Sequence, residues 1–223
     1  MITDLIRNGF STETVVMFCA RLFVIFCILP VHEFAHAYTA SKLGDNTARA
    51  YGRLTLNPLA SLDPIGGLLI LFVGFGYAKP VPVNPMNFKN PKRDMAITAV
   101  AGPLSNLLMA FAFILCSTAV VRFSNIHEST VLYAIYYFLF YAAMTNVSLA
   151  VFNFLPIPPL DGSRLLELVI PDRYIYKYAR YEKYIVYAVL LLALLGVFDT
   201  PISVVSSFVS RGLVNISYAI FGI

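Results

Sequence analysis

Three observations predict an α-helical polytopic membrane protein with at least four transmembrane helices and one re-entrant stretch. Apolar residues make up 59% of the 223-residue chain. Charged residues make up 13%, about half the roughly 25% of an ordinary globular domain. Several apolar runs approach or exceed the about 20 helical residues that cross a hydrocarbon core. A soluble chain this apolar could not cover its surface with polar groups, and the mean hydropathy of +0.75 agrees. Lipid is therefore its natural solvent.

The apolar runs lie at roughly 14–35, 95–121, 131–153 and 184–198, the last short unless it continues past Asp199. A tail at 201–221 is also apolar but carries Arg211 and Asn215, so a short return helix and an interfacial helix both fit it. The chain reads as one membrane-embedded domain over 1–223, with a core at 14–162 and C-terminal helices at 163–223.

Ile65–Ala78 stands apart. It reads IGGLLILFVGFGYA, contains four glycines and runs on into KPVPVNP. That density of glycine and proline argues against a regular helix, and the alternation allows extended backbone instead. Non-helical backbone at membrane depth requires burial in protein or contact with a water-filled cavity.

Charge makes this stretch re-entrant. Lys42, Arg49, Arg53, Lys79, Lys89, Lys92 and Arg93 fall in one loop region, and Arg164, Arg173, Lys177, Arg180 and Lys183 in another. Together they are 12 of the 16 basic residues, whereas the loop at 122–130 holds only Arg122. Basic loops stay cytoplasmic. Re-entry puts both basic loops on one side, with the N-terminus outside.

Other features exclude function classes. No basic block or aromatic-interleaved patch points to nucleic acid. Cys19, Cys27 and Cys116 lack zinc or disulfide spacing and read as small core residues. The N-terminus has no basic region followed by a small-residue cleavage site, so no removable signal peptide is expected. Tyr174, Tyr176, Tyr178, Tyr181, Tyr184 and Tyr187 supply the interfacial aromatics that a chain without tryptophan needs.

The chemistry is concentrated in FVIFCILPVHEFAHAY, residues 23–38. His32 and His36 are four apart, so a helix puts both on one face, one turn apart. Glu33 adjoins them. Two histidine ligands and a glutamate general base are the H-E-x-x-H arrangement of metalloproteases. Three ionisable groups near hydrocarbon need compensation, which strengthens that reading. The bland alternative is two histidines hydrogen-bonded in the bundle with Glu33 as partner. A helix entering the bilayer near Val15 reaches His32 after about 26 Å and His36 after about 32 Å, against a core of about 30 Å. The motif is thus expected near the cytoplasmic edge, with Pro30 able to kink the helix beside it.

A tetrahedral zinc needs a third protein ligand and an open water position. His127, the only other histidine, falls in the opposite-side loop. The third apolar run ends in NFLPIPPLDG, residues 153–162, on the correct side. Asp161 is the best candidate there. Pro156, Pro158 and Pro159 stop the helix, and Gly162 permits a tight turn. An N-cap ahead of Ser163–Ile170 is the bland role for Asp161.

HEFAH, AGPLSN (101–106) and NFLPIPPLDG together resemble the site-2 protease family of intramembrane zinc metalloproteases. LGDNTARAYGRLTLNP (43–58), LDPIGG (62–67) and AKPVPVNP (78–85) resemble its small bacterial and archaeal members without PDZ or CBS modules. The resemblance covers about 14–190 and departs at Ser61, where relatives commonly carry histidine. It implies His32, His36 and Asp161 as ligands of one Zn2+ per chain and Glu33 as catalytic base. It further implies Asn153 and Asn106 as substrate or oxyanion residues near the centre, and a membrane-embedded β-hairpin from the glycine-rich segment.

The expected function is hydrolysis of peptide bonds within or near transmembrane segments of membrane-protein substrates. Zinc would polarise the scissile carbonyl and acidify a water, and Glu33 would move the proton. The expected partners are a transmembrane substrate and the lipid bilayer, and the expected location is the cell membrane. A non-catalytic scaffold that binds transmembrane helices is the alternative. A transporter would spread its polar groups along several spans, whereas here they cluster at one depth.

Overall fold

A computed structural model of the chain describes residues 11–72, 78–126 and 128–223. His127 and the middle of the glycine-rich stretch, 73–77, fall outside these residues. The described residues are helical, with no strand among them. The helices are α1 (Thr12–Leu43), α2 (Thr47–Ala50), α3 (Pro58–Ser61), α4 (Pro64–Phe72), α5 (Pro91–Phe123), α6 (Thr130–Asn153), α7 (Ser163–Val169), α8 (Asp172–Leu194) and α9 (Asp199–Phe221). Four of them, α1, α5, α6 and α9, are long and apolar enough to cross a bilayer.

The first helix begins where Ser11 accepts a hydrogen bond from the Thr14 amide at 3.2 Å. It passes through Pro30 without ending. Proline lacks the amide that would serve the carbonyl four residues back. Val24–Ile28 is a π-helical turn, in which the Leu29 amide reaches back to the Val24 carbonyl. The widened turn absorbs the mismatch, and the helix continues past the expected end at residue 35 to Leu43. The H-E-x-x-H residues therefore lie inside a continuous helix.

The long helix α5 is the hub, packing against α1, α6, α7 and α9. Lipid tails give no hydrophobic drive for two apolar helices to meet, so close packing of small residues must hold them. Ala20, Ala37, Ala110, Ala142, Ala143 and Ala150 are all fully buried. Bulky side chains pack between them, as where Leu149 of α6 meets Val24 and Ile28. Helices α1 and α6 run parallel, with Tyr133 donating to Glu13 at 2.8 Å at their starts. The last helix returns along α5, where Ser217 donates to Thr118 at 2.8 Å.

Three expectations are corrected. The fourth helix long and apolar enough to span is α9, not 184–198. That run breaks after Leu194, where Gly196 takes φ +74°, a left-handed conformation open chiefly to glycine. The Gly196 and Val197 amides close the turn on the Ala193 and Leu192 carbonyls. Both ends of α8 lie at the motif-bearing end of the bundle. The Ile170 carbonyl accepts from Lys92 at the start of α5, and Phe198 packs on Phe152 at the end of α6.

The glycine-rich stretch is helical over Pro64–Phe72 rather than extended. Asp63 accepts from the Ile65 and Gly66 amides at 3.0 and 2.9 Å, and Pro64 occupies the first helical position, where its missing amide costs nothing. Gly66 and Gly67 fall in that capped first turn, where their helix penalty is small, and apolar helix formers follow. The expected β-hairpin therefore has no strand in its described part. The cysteines, finally, are free but exposed. Apolar runs in a membrane bundle face lipid as readily as core.

The loops at the motif-bearing end are tied by Asp45, which is fully buried. Its carboxylate accepts from the Thr47 and Asn84 amides at 3.0 and 2.8 Å, from the Asn87 side chain at 2.7 Å and from the Thr47 hydroxyl. Burial raises the Asp45 pKa, but these donors outweigh it and hold the group below its ordinary 3.8. A depressed carboxylate stabilises the fold fully above its unfolded value, and that stabilisation is lost as pH falls through the folded value. Asp45→Ala should lower stability by about 2 kcal/mol at neutral pH. It should also remove part of the stability loss between pH 5 and pH 2, as thermal melts of the purified protein would show.

Candidate metal centre

The second half of α1 puts His32 and His36 on the face that meets α5. Their Nε2 atoms lie 3.0 Å apart, and the rings meet edge to face. This approach depends on Gly102 of α5. A Cβ built there would lie 2.2 Å from His36 Nε2 and 2.6 Å from His32 Cε1, so any side chain would occupy the space the imidazoles use. The A-G-P-L-S-N motif drew attention to this turn of α5, but nothing in the sequence alone gave Gly102 a role.

Asp161 arrives from the loop after α6. Its Oδ2 lies 3.3 Å from both Nε2 atoms. The loop folds back on itself, with the Gly162 amide donating to the Asn153 carbonyl at 2.7 Å. A Cβ on Gly162 would stand 2.3 Å from the Phe154 carbonyl oxygen, so only glycine permits the closure. Gly162 itself is the residue capping α7, which leaves the Asp161 side chain free for the histidines. Burial raises the Asp161 pKa, and the two imidazoles outweigh it, holding the carboxyl well below the usual range.

The three atoms form a triangle with sides of 3.0, 3.3 and 3.3 Å. In a tetrahedral site with bonds of about 2.0–2.1 Å, neighbouring ligand atoms stand about 3.3 Å apart. The donor set thus fits a small divalent ion with one face left open. The His36 ring supports the same reading. Its Nδ1 hydrogen donates to the Thr98 carbonyl at 2.7 Å, which leaves Nε2 as the lone-pair atom. Ligating histidines nearly always anchor their second nitrogen this way.

These residues open onto a cleft of about 540 Å³, which His32, Glu33, His36, Asn153 and Asp161 all line. Ala78, Pro80, Val81 and Val83 also line it, as do Val186 and Leu190 of α8. Five of the six candidate residues thus share one cavity. Asn106 is not among its lining residues; it is buried in α5, 1% exposed. Ser61, where the sequence departs from the resemblance, is also buried, and its carbonyl accepts from the Lys79 amide at 2.9 Å.

The model of peptidase family M50 matches residues 20–196. The chain belongs to peptidase family M50. This is the site-2 protease family that the motifs resemble, and membership makes the protein a metalloprotease. Among M50 relatives it is 41% identical to YwhC of Bacillus subtilis over 168 residues, covering 74% of this chain and 77% of that one. It is 35% identical to Rip2 of Mycobacterium tuberculosis over 158 residues, covering 68% of this chain and 56% of Rip2. Both are named as candidate zinc metalloproteases. MJ0392 of Methanocaldococcus jannaschii, named a zinc metalloprotease, is 26% identical over 169 residues, 75% of this chain and 40% of that one. No solved structure matches the chain.

The Gly102 contact gives a test that separates site from scaffold. Alanine improves helix propensity by about 1 kcal/mol, so Gly102→Ala should leave helicity intact. Its methyl group should push the imidazoles apart and lower zinc occupancy at least about tenfold, read by metal analysis of the purified protein.

Proposed function

We propose that this M50 enzyme is a zinc metalloendopeptidase that cleaves membrane-protein substrates within or beside a transmembrane segment, near the cytoplasmic face. The convergence of His32, His36 and Asp161 on one point, with Glu33 beside them in a cleft walled by membrane-length helices, carries this reading. The names of YwhC and Rip2 support zinc as the ion. His32, His36 and Asp161 would hold it. Zinc, when bound, supplies a Lewis acid that polarises the scissile carbonyl and acidifies water.

The other roles belong to side chains of the cleft. Glu33 lies next to His32 and opens on the cavity. It takes the proton from the attacking water and returns it to the leaving amine. Asn153 also lines the cavity, and its amide donates to the substrate carbonyl as negative charge develops there. The sidedness rests on charge. Seven basic residues between 42 and 93 and five between 164 and 183 favour the cytoplasmic side.

Peptide hydrolysis needs extended substrate, because a helix encloses its carbonyls in its own hydrogen bonds. The cleft wall at 78–83 offers a partner. It is pinned at one end by Lys79, whose amide donates to Ser61 and whose carbonyl accepts from Arg53 at 2.5 Å. Asp45 pins the other end through the Asn84 amide. Between the pins, Val81 and Val83 keep their amides, while Pro80 and Pro82 have none. Alternate residues of extended backbone present their amides to opposite edges. One edge therefore donates and the other is blanked, which supports pairing with a single added strand.

A cleavage assay with a single-span substrate in detergent tests both halves. Glu33→Ala should reduce turnover at least about 100-fold while zinc remains bound. Val81→Pro should reduce it at least about tenfold, also with zinc retained, because one pairing donor is lost. Full turnover in the Glu33 variant would contradict Glu33 as the base, and no cleavage by the zinc-loaded wild type would leave a scaffold with an incidental metal site; full turnover in the Val81 variant would remove the strand-pairing role alone.

A further inference from the structure

The two histidines differ in how their second nitrogens are held. His36 Nδ1 donates to the Thr98 carbonyl. His32 is 4% exposed, and its Nδ1 has no hydrogen-bond partner. A ligating imidazole with a loose second nitrogen is poorly fixed in tautomer and orientation.

A second orphan lies on the facing helix. Asn106 is 1% exposed, and neither its Oδ1 nor its Nδ2 has a partner. It follows Gly102 by four residues, one turn and about 6 Å along α5. Side chains on a helix lean back over the preceding turn. The Asn106 amide therefore leans toward the surface over Gly102, against which the His32 ring rests. The register agrees. Helices α1 and α5 run antiparallel here, His36 meeting Thr98 and both rings meeting Gly102. The next turn of α5 comes level with the His32 end of the motif.

We infer that Asn106 Oδ1 accepts the His32 Nδ1 hydrogen through one bridging water, and so holds His32 with its Nε2 lone pair toward the metal. Asn106 is on this account a positioning residue for the metal centre, not a substrate contact. Its burial away from the cleft fits that role. Neither the Asn106 amide nor the His32 nitrogen has a hydrogen-bond partner among the described residues, and the other fully buried amide, Asn146, donates its Nδ2 hydrogen within its own helix to the Ala142 carbonyl. The inference rests on the zinc site proposed above.

The test uses the full chain in detergent, as wild type, Asn106→Leu and Asn106→Asp. Zinc affinity is measured by chelator competition, and the metal-free melting temperature alongside it. Asn106→Leu keeps the side-chain volume without the acceptor and should weaken zinc binding about 10–100-fold. Its metal-free melting temperature should stay level or rise. Asn106→Asp restores an acceptor and should bring affinity back to within a few-fold of wild type. If the leucine variant does not fold, Asn106→Ala replaces it, and the ¹⁵N resonances of His32 in the zinc-loaded protein should shift while those of His36 stay in place. Zinc affinity unchanged in the leucine or alanine variant, or no recovery with aspartate, overturns the inference. Wild-type protein that binds no zinc, or zinc binding that survives His32→Ala, overturns the site itself and the inference with it.

Discussion

The whole site depends on one close approach, the contact of the H-E-x-x-H face of α1 with the backbone of α5 at Gly102. A helix surface with side chains would hold the two histidines away from the bundle axis. A surface with none lets both rings lie against the α5 backbone, where the Thr98 carbonyl orients one of them. The remaining ligand then has to come from elsewhere. The loop after α6 supplies it by folding tightly on Gly162, which points Asp161 at the two Nε2 atoms. Two glycines, neither of them chemically active, thus set where three ligands meet.

The same economy governs the polar groups at the motif-bearing end. Charged and amide side chains near hydrocarbon need partners. Asp45 satisfies several loop donors at once and thereby fixes the end of the cleft wall. Arg53 and Ser61 fix its start. The cleft wall is held by its ends and left open in the middle, which suits a surface that must accept a peptide. Helix α8, whose ends both return to this side of the bundle, adds Val186 and Leu190 to the cleft lining.

Much of this was legible in the sequence, and the reasons are physical. His32 and His36 at i and i+4 share a face on any helix, so their meeting followed from spacing alone. Counting ligands showed one missing, and the parity of the spans led to the loop that contains Asp161. Composition indicated the helical membrane bundle. The glycine-rich stretch was misread because propensity was weighed without position: Gly66 and Gly67 lie in a turn capped by Asp63, where glycine costs little. The fourth span was misplaced because apolarity does not distinguish a helix that crosses from one that turns back, and the break at Gly196 decides it. Gly102 was invisible as a site residue because its contribution is an absent side chain. Asn106 and Asn153 looked alike in sequence, yet one lines the cleft and the other is buried between helices.

The central claim is that His32, His36 and Asp161 form one three-ligand zinc site with an open position. Zinc K-edge X-ray absorption on the purified full chain tests it most directly. The account predicts one zinc per chain with two imidazole nitrogens and one carboxylate oxygen at about 2.0–2.1 Å, and loss of that first shell in Asp161→Ala. Sulfur in the first shell, a third imidazole, or an unchanged spectrum in the Asp161 variant would contradict it.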